Sequence, residues 1–191
     1  MFASILILLT GCNDVLVGVE EEACPPGFVE GAEGCEFDEL AVVEVLRSFD
    51  DGSLVRINAV PFVQTMGPNL LRNVWVSPVP INNAVLSAGP QMDAADLYME
   101  VDPYDHEAIL SAEFPIGTLI VHETVNREEG HTVQVKLGAD HADENGRDWW
   151  FGKYYDDGTP DTNDCSPCTT CHTSDARPNS DGLWGVPREA L

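Results

Sequence analysis

Near the C-terminus the chain reads Asp164-Cys165-Ser166-Pro167-Cys168-Thr169-Thr170-Cys171-His172. Within it, Cys168, Cys171 and His172 form C-x-x-C-H, the attachment pattern of a c-type haem. Two thiols at that spacing can each add to one vinyl group of the macrocycle, and the histidine that follows is aimed at the iron as an axial ligand. Other chemistry is open to the same residues. A bare C-x-x-C can be a thioredoxin-like redox pair, but that needs a βαβ setting, and nothing around residue 168 suggests one. Zinc held by Cys165, Cys168, Cys171 and His172 is conceivable too. Closed structural zinc sites usually draw on two separated pairs, whereas here all four candidates crowd into eight residues. Haem is the favoured reading. Cys165 also starts a C-x-x-C, but its second cysteine is followed by Thr169, which cannot serve as an axial base.

Covalent haem of this type is attached outside the cytoplasm, so the N-terminus matters. Met1 to Cys12 reads M-F-A-S-I-L-I-L-L-T-G-C, a short apolar run followed by small residues and a cysteine. This is a signal-peptide pattern, and Leu9-Thr10-Gly11-Cys12 resembles the box at which bacterial lipoproteins are cleaved and lipidated on the cysteine. The run is too short to be a permanent span. A buried N-terminal strand is the duller alternative. The expectation is a signal peptide over residues 1–11, lipid on Cys12, and a protein anchored in the bacterial cell envelope, facing the periplasm or exterior.

Charge narrows the partners. The chain has 191 residues and a net charge of −24, from 33 acidic against 9 basic side chains. Such a surface repels nucleic acid and anionic headgroups, so neither is expected as a ligand. It could attract a cationic redox partner, but a solvated acidic surface with no particular partner is the more ordinary reading. Without the signal, about 180 residues remain, enough for one domain with a real core. Of six cysteines, Cys12 is assigned to lipid and Cys168 with Cys171 to haem. Cys24 and Cys35 bracket Pro25-Pro26-Gly27 and are expected to form a disulfide in an oxidising compartment. Cys165 is left over.

These residues need a scaffold. Residues 12–36 are rich in Glu, Gly and Pro and read as an acidic tether carrying the local disulfide, ahead of a domain over 37–191. Leu40, Val43 and Leu46 at helical spacing predict a helix between Phe37 and Asp50, ended by Asp51-Gly52. Alternation predicts strands over Ser53–Phe62, Leu70–Ser77, Thr118–Val125, Thr132–Leu137 and Asp148–Tyr155, with a further strand around Leu97–Val101. Pro115-Ile116-Gly117 and Asp157-Gly158 read as turns. Sequential short strands predict an α+β fold, mainly an antiparallel β-sheet with a few short helices, in one domain.

Several stretches, in this order, resemble the cytochrome P-460 family, which includes the cytochrome c′-beta proteins. They are Arg56-Ile57-Asn58 with Pro61-Phe62, then Leu71-Arg72-Asn73-Val74-Trp75-Val76-Ser77-Pro78, then Phe114-Pro115-Ile116-Gly117-Thr118-Leu119-Ile120-Val121, and Trp149-Trp150 ahead of the C-x-x-C-H. The resemblance covers roughly Leu54 to Thr173. It implies a mainly antiparallel β-sheet homodimer with one c-type haem, whose high-spin, five-coordinate iron handles small nitrogenous ligands such as nitric oxide or hydroxylamine. Members that oxidise hydroxylamine carry a lysine-to-haem cross-link. The family's F-P-x-G-T stretch commonly runs into Val-Lys-Glu, but this chain has Val121-His122-Glu123, and its only lysines are Lys136 and Lys153. The cross-link, and hydroxylamine oxidation with it, are therefore not expected.

Other residues have both a sharp and a plain reading. His106, His122, His131 and His141 could be second axial ligands, but hydrogen-bonded or surface histidines are commoner. Met66, Met92 and Met99 could ligate iron, as in electron-transfer cytochromes, or fill space. Trp149, Trp150, Phe151 and Tyr154 could wall a haem or simply be core. Arg72 and Arg177 could pair with propionates or lie in solvent. No Ser-His-Asp order, phosphate loop or carboxylate pair rises above chance. Two alternatives stand beside the open-site haem protein: a six-coordinate electron carrier, and a haem-free lipoprotein with disulfides or zinc.

Overall fold

The computed structural model describes residues 23–63, 70–79, 93–100, 114–125, 130–141, 148–161 and 190–191. The described chain opens with a hairpin, β1 (Phe28–Gly31) and β2 (Gly34–Phe37), followed by helix α1 (Glu39–Leu46). Short strands β3 (Val55–Arg56) and β4 (Phe62–Val63) lead to β5 (Leu71–Val76). Helix α2 (Ala94–Glu100) precedes β6 (Leu119–Thr124), β7 (His131–Lys136) and β8 (Trp149–Tyr154). The main sheet runs β3-β5-β6-β7-β8, with β4 also pairing β5, and every pairing is antiparallel. The α+β, mainly β expectation holds.

The sheet has two distinct faces because side chains alternate along each strand. One face carries Trp75, Val121, Leu119, Val133, Val135, Trp150 and Tyr154, and it is closed by α1. That helix starts where the Asp38 carboxylate accepts the Leu40 N–H at 2.9 Å, an N-cap that satisfies one otherwise unpaired donor. Val42, Val43 and Leu46 point into the sheet, whereas Leu40 is 72% exposed. The i, i+3, i+6 series taken from the sequence drifts around the helix, and the buried stripe is i, i+1, i+4 instead. After Leu46 a single 3₁₀ turn, Phe49–Asp51, ends at Gly52 with φ of 103°, in the left-handed region that glycine adopts without strain.

The second half of the stretch read as a tether is the β1–β2 hairpin, and it is docked on this closed face. Phe28 meets Phe37 edge-on at 6.0 Å, and Phe37 lies 5.2 Å from Trp150. Acidic composition suggested solvation; two phenylalanines at the hairpin's base override it. Cys24 and Cys35 are joined by the expected disulfide, with Cα atoms 5.5 Å apart.

The opposite face carries Val74, Val76, Ile120, Phe151 and Trp149, covered at one end by α2 through Ala94, Ala95 and Tyr98, with Phe114 beside them. The strand expected around Leu97–Val101 is, over its described part, the end of this helix. The Asp93 carboxylate accepts from the N–H groups of Ala95 and Asp96 at 2.8 and 2.9 Å, which starts a helix rather than a strand. The other predicted strands stand: β5, β6 and β8 are each shorter by two residues, and β7 begins and ends one residue earlier than expected. Ser53–Phe62 is the exception: its ends form β3 and β4, while Ile57 and Asn58 between them are buried.

Candidate functional site

Cys12, Cys165, Cys168, Cys171, His172, Arg177, His106, Met66 and Met92 lie outside the described residues. The described residues that flank the C-x-x-C-H stretch are Asp161 and Ala190. Asp161, the last described residue before it, follows β8 and donates its N–H to the Lys153 carbonyl at 2.8 Å. Its carboxylate pairs with Lys153 at 2.7 Å. By register Lys153 lies beside Thr132, which pairs with His122, which pairs with Val74. Ala190, the next described residue, is 2% exposed in the cluster with Val74, Val76 and Ile120. Its carbonyl accepts from Ala59 N–H at 2.8 Å. Both ends therefore sit at the face opposite α1.

On that face the centre of the sheet is polar. His122 is 7% exposed and Gln134 is 1% exposed. They are diagonal neighbours on β6 and β7, with the Gln134 amide nitrogen 3.4 Å from His122 Nε2. Gln134 is flanked across the sheet by Ile120 and Phe151. Its Oε1 is buried and has no hydrogen-bond partner. Burying an amide oxygen without a partner is costly, and natural folds rarely leave one so. Arg72, 5% exposed, donates through Nη1 to the His122 carbonyl at 3.2 Å and to Thr124 Oγ1. Arg72 thus ties β5 to β6 from within and does not lie in solvent.

The remaining candidates sort cleanly. His131, 1% exposed, is on the closed face: its Nδ1 accepts the Thr124 N–H at 3.0 Å, and its Nε2 meets Asp156. With both ring nitrogens engaged, His131 is a structural clamp between β6 and the turn after β8. His141 is exposed. Met99 is on α2 and 41% exposed. Trp149 and Phe151 face the polar centre's side of the sheet, while Trp150 and Tyr154 belong to the closed face. Both lysines are held by carboxylates: Lys136 by Asp148 at 2.5 Å, beneath which Trp149 lies 5.3 Å away, and Lys153 by Asp161. Among the described residues no group of three or more His, Cys, Asp or Glu could hold a metal ion.

Sequence reasoning singled out His122 and overlooked Gln134. The signal was present: a glutamine between Val133 and Val135, in a strand whose outward residues should be the polar ones, on a sheet covered on both faces. It also overlooked the chain of polar groups that starts at Arg56. Arg56 Nη2 and Asn58 Nδ2 donate to Asn73 Oδ1 at 2.8 and 3.0 Å. Asn73 Nδ2 and Trp75 Nε1 then donate to Glu123 Oε2 at 2.8 and 2.9 Å.

Arg56-Ile57-Asn58, Leu71 to Pro78, Phe114 to Val121 and Trp149-Trp150 fall on β3, β5, the turn into β6 with β6 itself, and the start of β8. In the turn, Thr118 N–H bonds the Pro115 carbonyl at 3.1 Å and Gly117 has φ of 86°. A side-chain carbon at Gly117 would lie 2.4 Å from Pro25, so this glycine is required both by conformation and by space. No family model matches the chain, and neither a curated protein nor a solved structure matches it.

Proposed function

We propose that this chain is an exported c-type haem lipoprotein, similar to cytochrome P-460, that binds a small nitrogenous ligand such as nitric oxide. One haem c is held by thioether bonds from Cys168 and Cys171, with His172 as the proximal ligand. The observation that carries the reading is the C-x-x-C-H spacing in a chain that opens on a short apolar run and Leu9-Thr10-Gly11-Cys12. Two features of the fold support it. The motif stretch leaves and rejoins the described chain at one sheet face. Seven residues from Asp161 to Cys168 reach no further than about 25 Å, against about 19 Å for the width of a five-strand path. That face also offers what a flat apolar macrocycle with one polar coordination position wants: Val74, Ile120 and Phe151 around a buried histidine and glutamine.

The haem would supply an iron with an open position for the ligand. The chain's own residues exclude water there and present polar atoms from β6 and β7. No lysine cross-link forms in this proposal, since both lysines are engaged with Asp148 and Asp161. Binding of nitric oxide or a similar ligand is then the expected activity, with hydroxylamine oxidation weak or absent. Cys12 carries the lipid that anchors the protein in the envelope; an intact Met1 in the mature protein's mass would contradict that part.

The test is the visible spectrum of protein made with the cytochrome c maturation machinery. The expected result is a high-spin spectrum that shifts with nitric oxide. Cys171→Ala should reduce covalent attachment, while Cys165→Ala should leave it intact. Sharp low-spin bands indifferent to ligands would make the protein a six-coordinate electron carrier. A colourless product would return it to the haem-free alternative. A haem–lysine adduct surviving denaturation would overturn the absence of the cross-link.

A further inference from the structure

We infer that the groove between α1 and the disulfide-closed hairpin takes a cationic segment of a partner protein, one that carries an apolar side chain among lysines or arginines. The inference is independent of the haem reading, since every residue lining the groove lies between Cys24 and Val45. The groove has a volume of about 430 Å³. Its shape is set before anything binds. Cys24 and Cys35 close the hairpin, and Pro25-Pro26 stiffen the backbone along one wall. Phe28 donates its N–H to the Pro25 carbonyl at 3.0 Å, and Asp38 donates its N–H to the Gly27 carbonyl at 3.0 Å. Where the hairpin meets the helix, a side-chain carbon at Gly27 would come 3.0 Å from Val42. Binding therefore orders little of this chain, which favours affinity.

The lining is apolar where solubility alone would make it polar. Leu40 from the helix is 72% exposed and Val29 from the hairpin is 40% exposed, and Phe28, Ala41 and Val45 in the same groove are half-buried. Single exposed apolar side chains are ordinary on any protein. Two of them on the walls of one preformed groove with a polar rim mark a contact surface. Charge then selects the occupant. Between Ala23 and Leu46 there are six carboxylates and no lysine, arginine or histidine. Asp38 and Glu44 line the groove itself, and Glu36 is exposed and pairs in register with Val29. Glu44 also meets Arg47, but both side chains are largely exposed, so that pair is weakly held. A cationic segment gains from this rim while its apolar side chain covers Leu40 and Val29. The chain's own Val15-Leu16-Val17 is apolar too, but Glu20-Glu21-Glu22 follows it and would add like charges to the rim. A second copy would set carboxylates against carboxylates.

The test uses the intact chain and fluorescein-labelled probe peptides of equal length that alternate Lys with Leu, Lys with Ser, or Glu with Leu. Anisotropy reads affinity, and methyl NMR of leucine and valine reports where the peptide sits. The Lys/Leu peptide should bind more tightly than the other two, weaken with added salt, and shift the Leu40 and Val29 methyls. Leu40→Ser should weaken it about tenfold, the scale of one leucine partly uncovered. Val29→Thr gives the same reading from the hairpin wall if the serine variant folds poorly. Glu44→Gln should weaken binding by a smaller factor, whereas Asp96→Asn on α2 removes the same charge from the other side of the sheet and should leave it unchanged. Equal binding of the Lys/Ser peptide, or wild-type affinity in a folded Leu40→Ser variant, would reduce the attraction to net charge and overturn the inference. Tightest binding of the Glu/Leu peptide would overturn it by removing the charge argument. Groove methyls that shift without peptide, on dilution or in Leu16→Ser, would show the groove filled by a second copy or by the chain's own segment, and would overturn it too.

Discussion

The two faces of the central sheet differ in how they treat polar atoms. The face under α1 is a closed core: Val42, Val43, Leu46, Phe49 and Leu54 pack on Leu119, Val121, Val133 and Val135. Its polar groups at the margins are paired, down to the Tyr154 hydroxyl that donates to Glu39. The opposite face is apolar only under α2 and Phe114, and towards the centre it buries His122 and Gln134 with an amide end unspent. A chain that needed only to fold would finish both faces alike. The contrast says that one face closes the core with its polar atoms paired, while the other gives up some stability by burying an amide end without a partner.

The largest expected effect comes from opening the closed face. Leu46 is 1% exposed, and Leu46→Ala should cost about 3 kcal/mol by the combined loss of burial and the cavity left behind. Urea denaturation measures it. If the proposed haem is bound, its content per folded molecule should be unchanged, because Leu46 is on the far side of the sheet from the polar centre. A loss of haem at constant foldedness would break the division of labour between the faces.

Next is the hairpin that helps close that face. Removing the Cys24–Cys35 bond by Cys35→Ser should cost about 2–3 kcal/mol through the freed unfolded chain. The hairpin's Phe28 and Phe37 contact the core, so the loss should appear in the main unfolding transition rather than as a separate early one. Two resolved transitions would show that the hairpin is an independent appendage, as its composition suggests.

A smaller effect tests the polar chain at the margin of the closed face. Asn73 is the link between Asn58, Arg56 and Glu123. Asn73→Leu leaves Glu123 with one fewer donor and should cost about 1–3 kcal/mol by denaturation. If the same exchange were neutral, the closed face would be tolerating unsatisfied groups too, and the contrast with Gln134 would lose its meaning.

How much of this was legible beforehand follows from which signals are local. Strand alternation exposed β5 to β8, because Val74 and Val76 against Trp75 is a two-residue period that survives burial. Helix α2 was misread as a strand. Its capping by Asp93 is a local signal, but the prolines and glycine upstream drew attention to loops instead. The docking of the hairpin was hidden because it depends on Trp150, more than a hundred residues away. Of the candidate site, the C-x-x-C-H pattern can be read at once because it lies within five consecutive residues. The His122–Gln134 pair is not, since its register across β6 and β7 exists only once the sheet has formed.

The smallest expected effect is at the turn after β8, on neither face, and it checks that charge alone does little in so acidic a chain. Asp157 Oδ1 accepts the Thr159 N–H at 2.8 Å. That hydrogen bond, and a second from the Thr159 side chain, hold the carboxyl below the usual carboxylate range, with the Arg47 charge a minor help. A carboxyl whose pKa is lower when folded stabilises the fold above its unfolded pKa and loses that contribution as pH falls through the folded value. Asp157→Asn keeps an acceptor for Thr159 and removes only the charge. The variant should therefore be slightly less stable at neutral pH, and the gap should close as acid protonates the wild-type carboxyl. Salt should shrink the gap as well, because the group is fully exposed. Urea midpoints measured at stepped pH give the comparison directly. A gap that persists unchanged into strong acid would mean the turn depends on the shape of the aspartate rather than its charge.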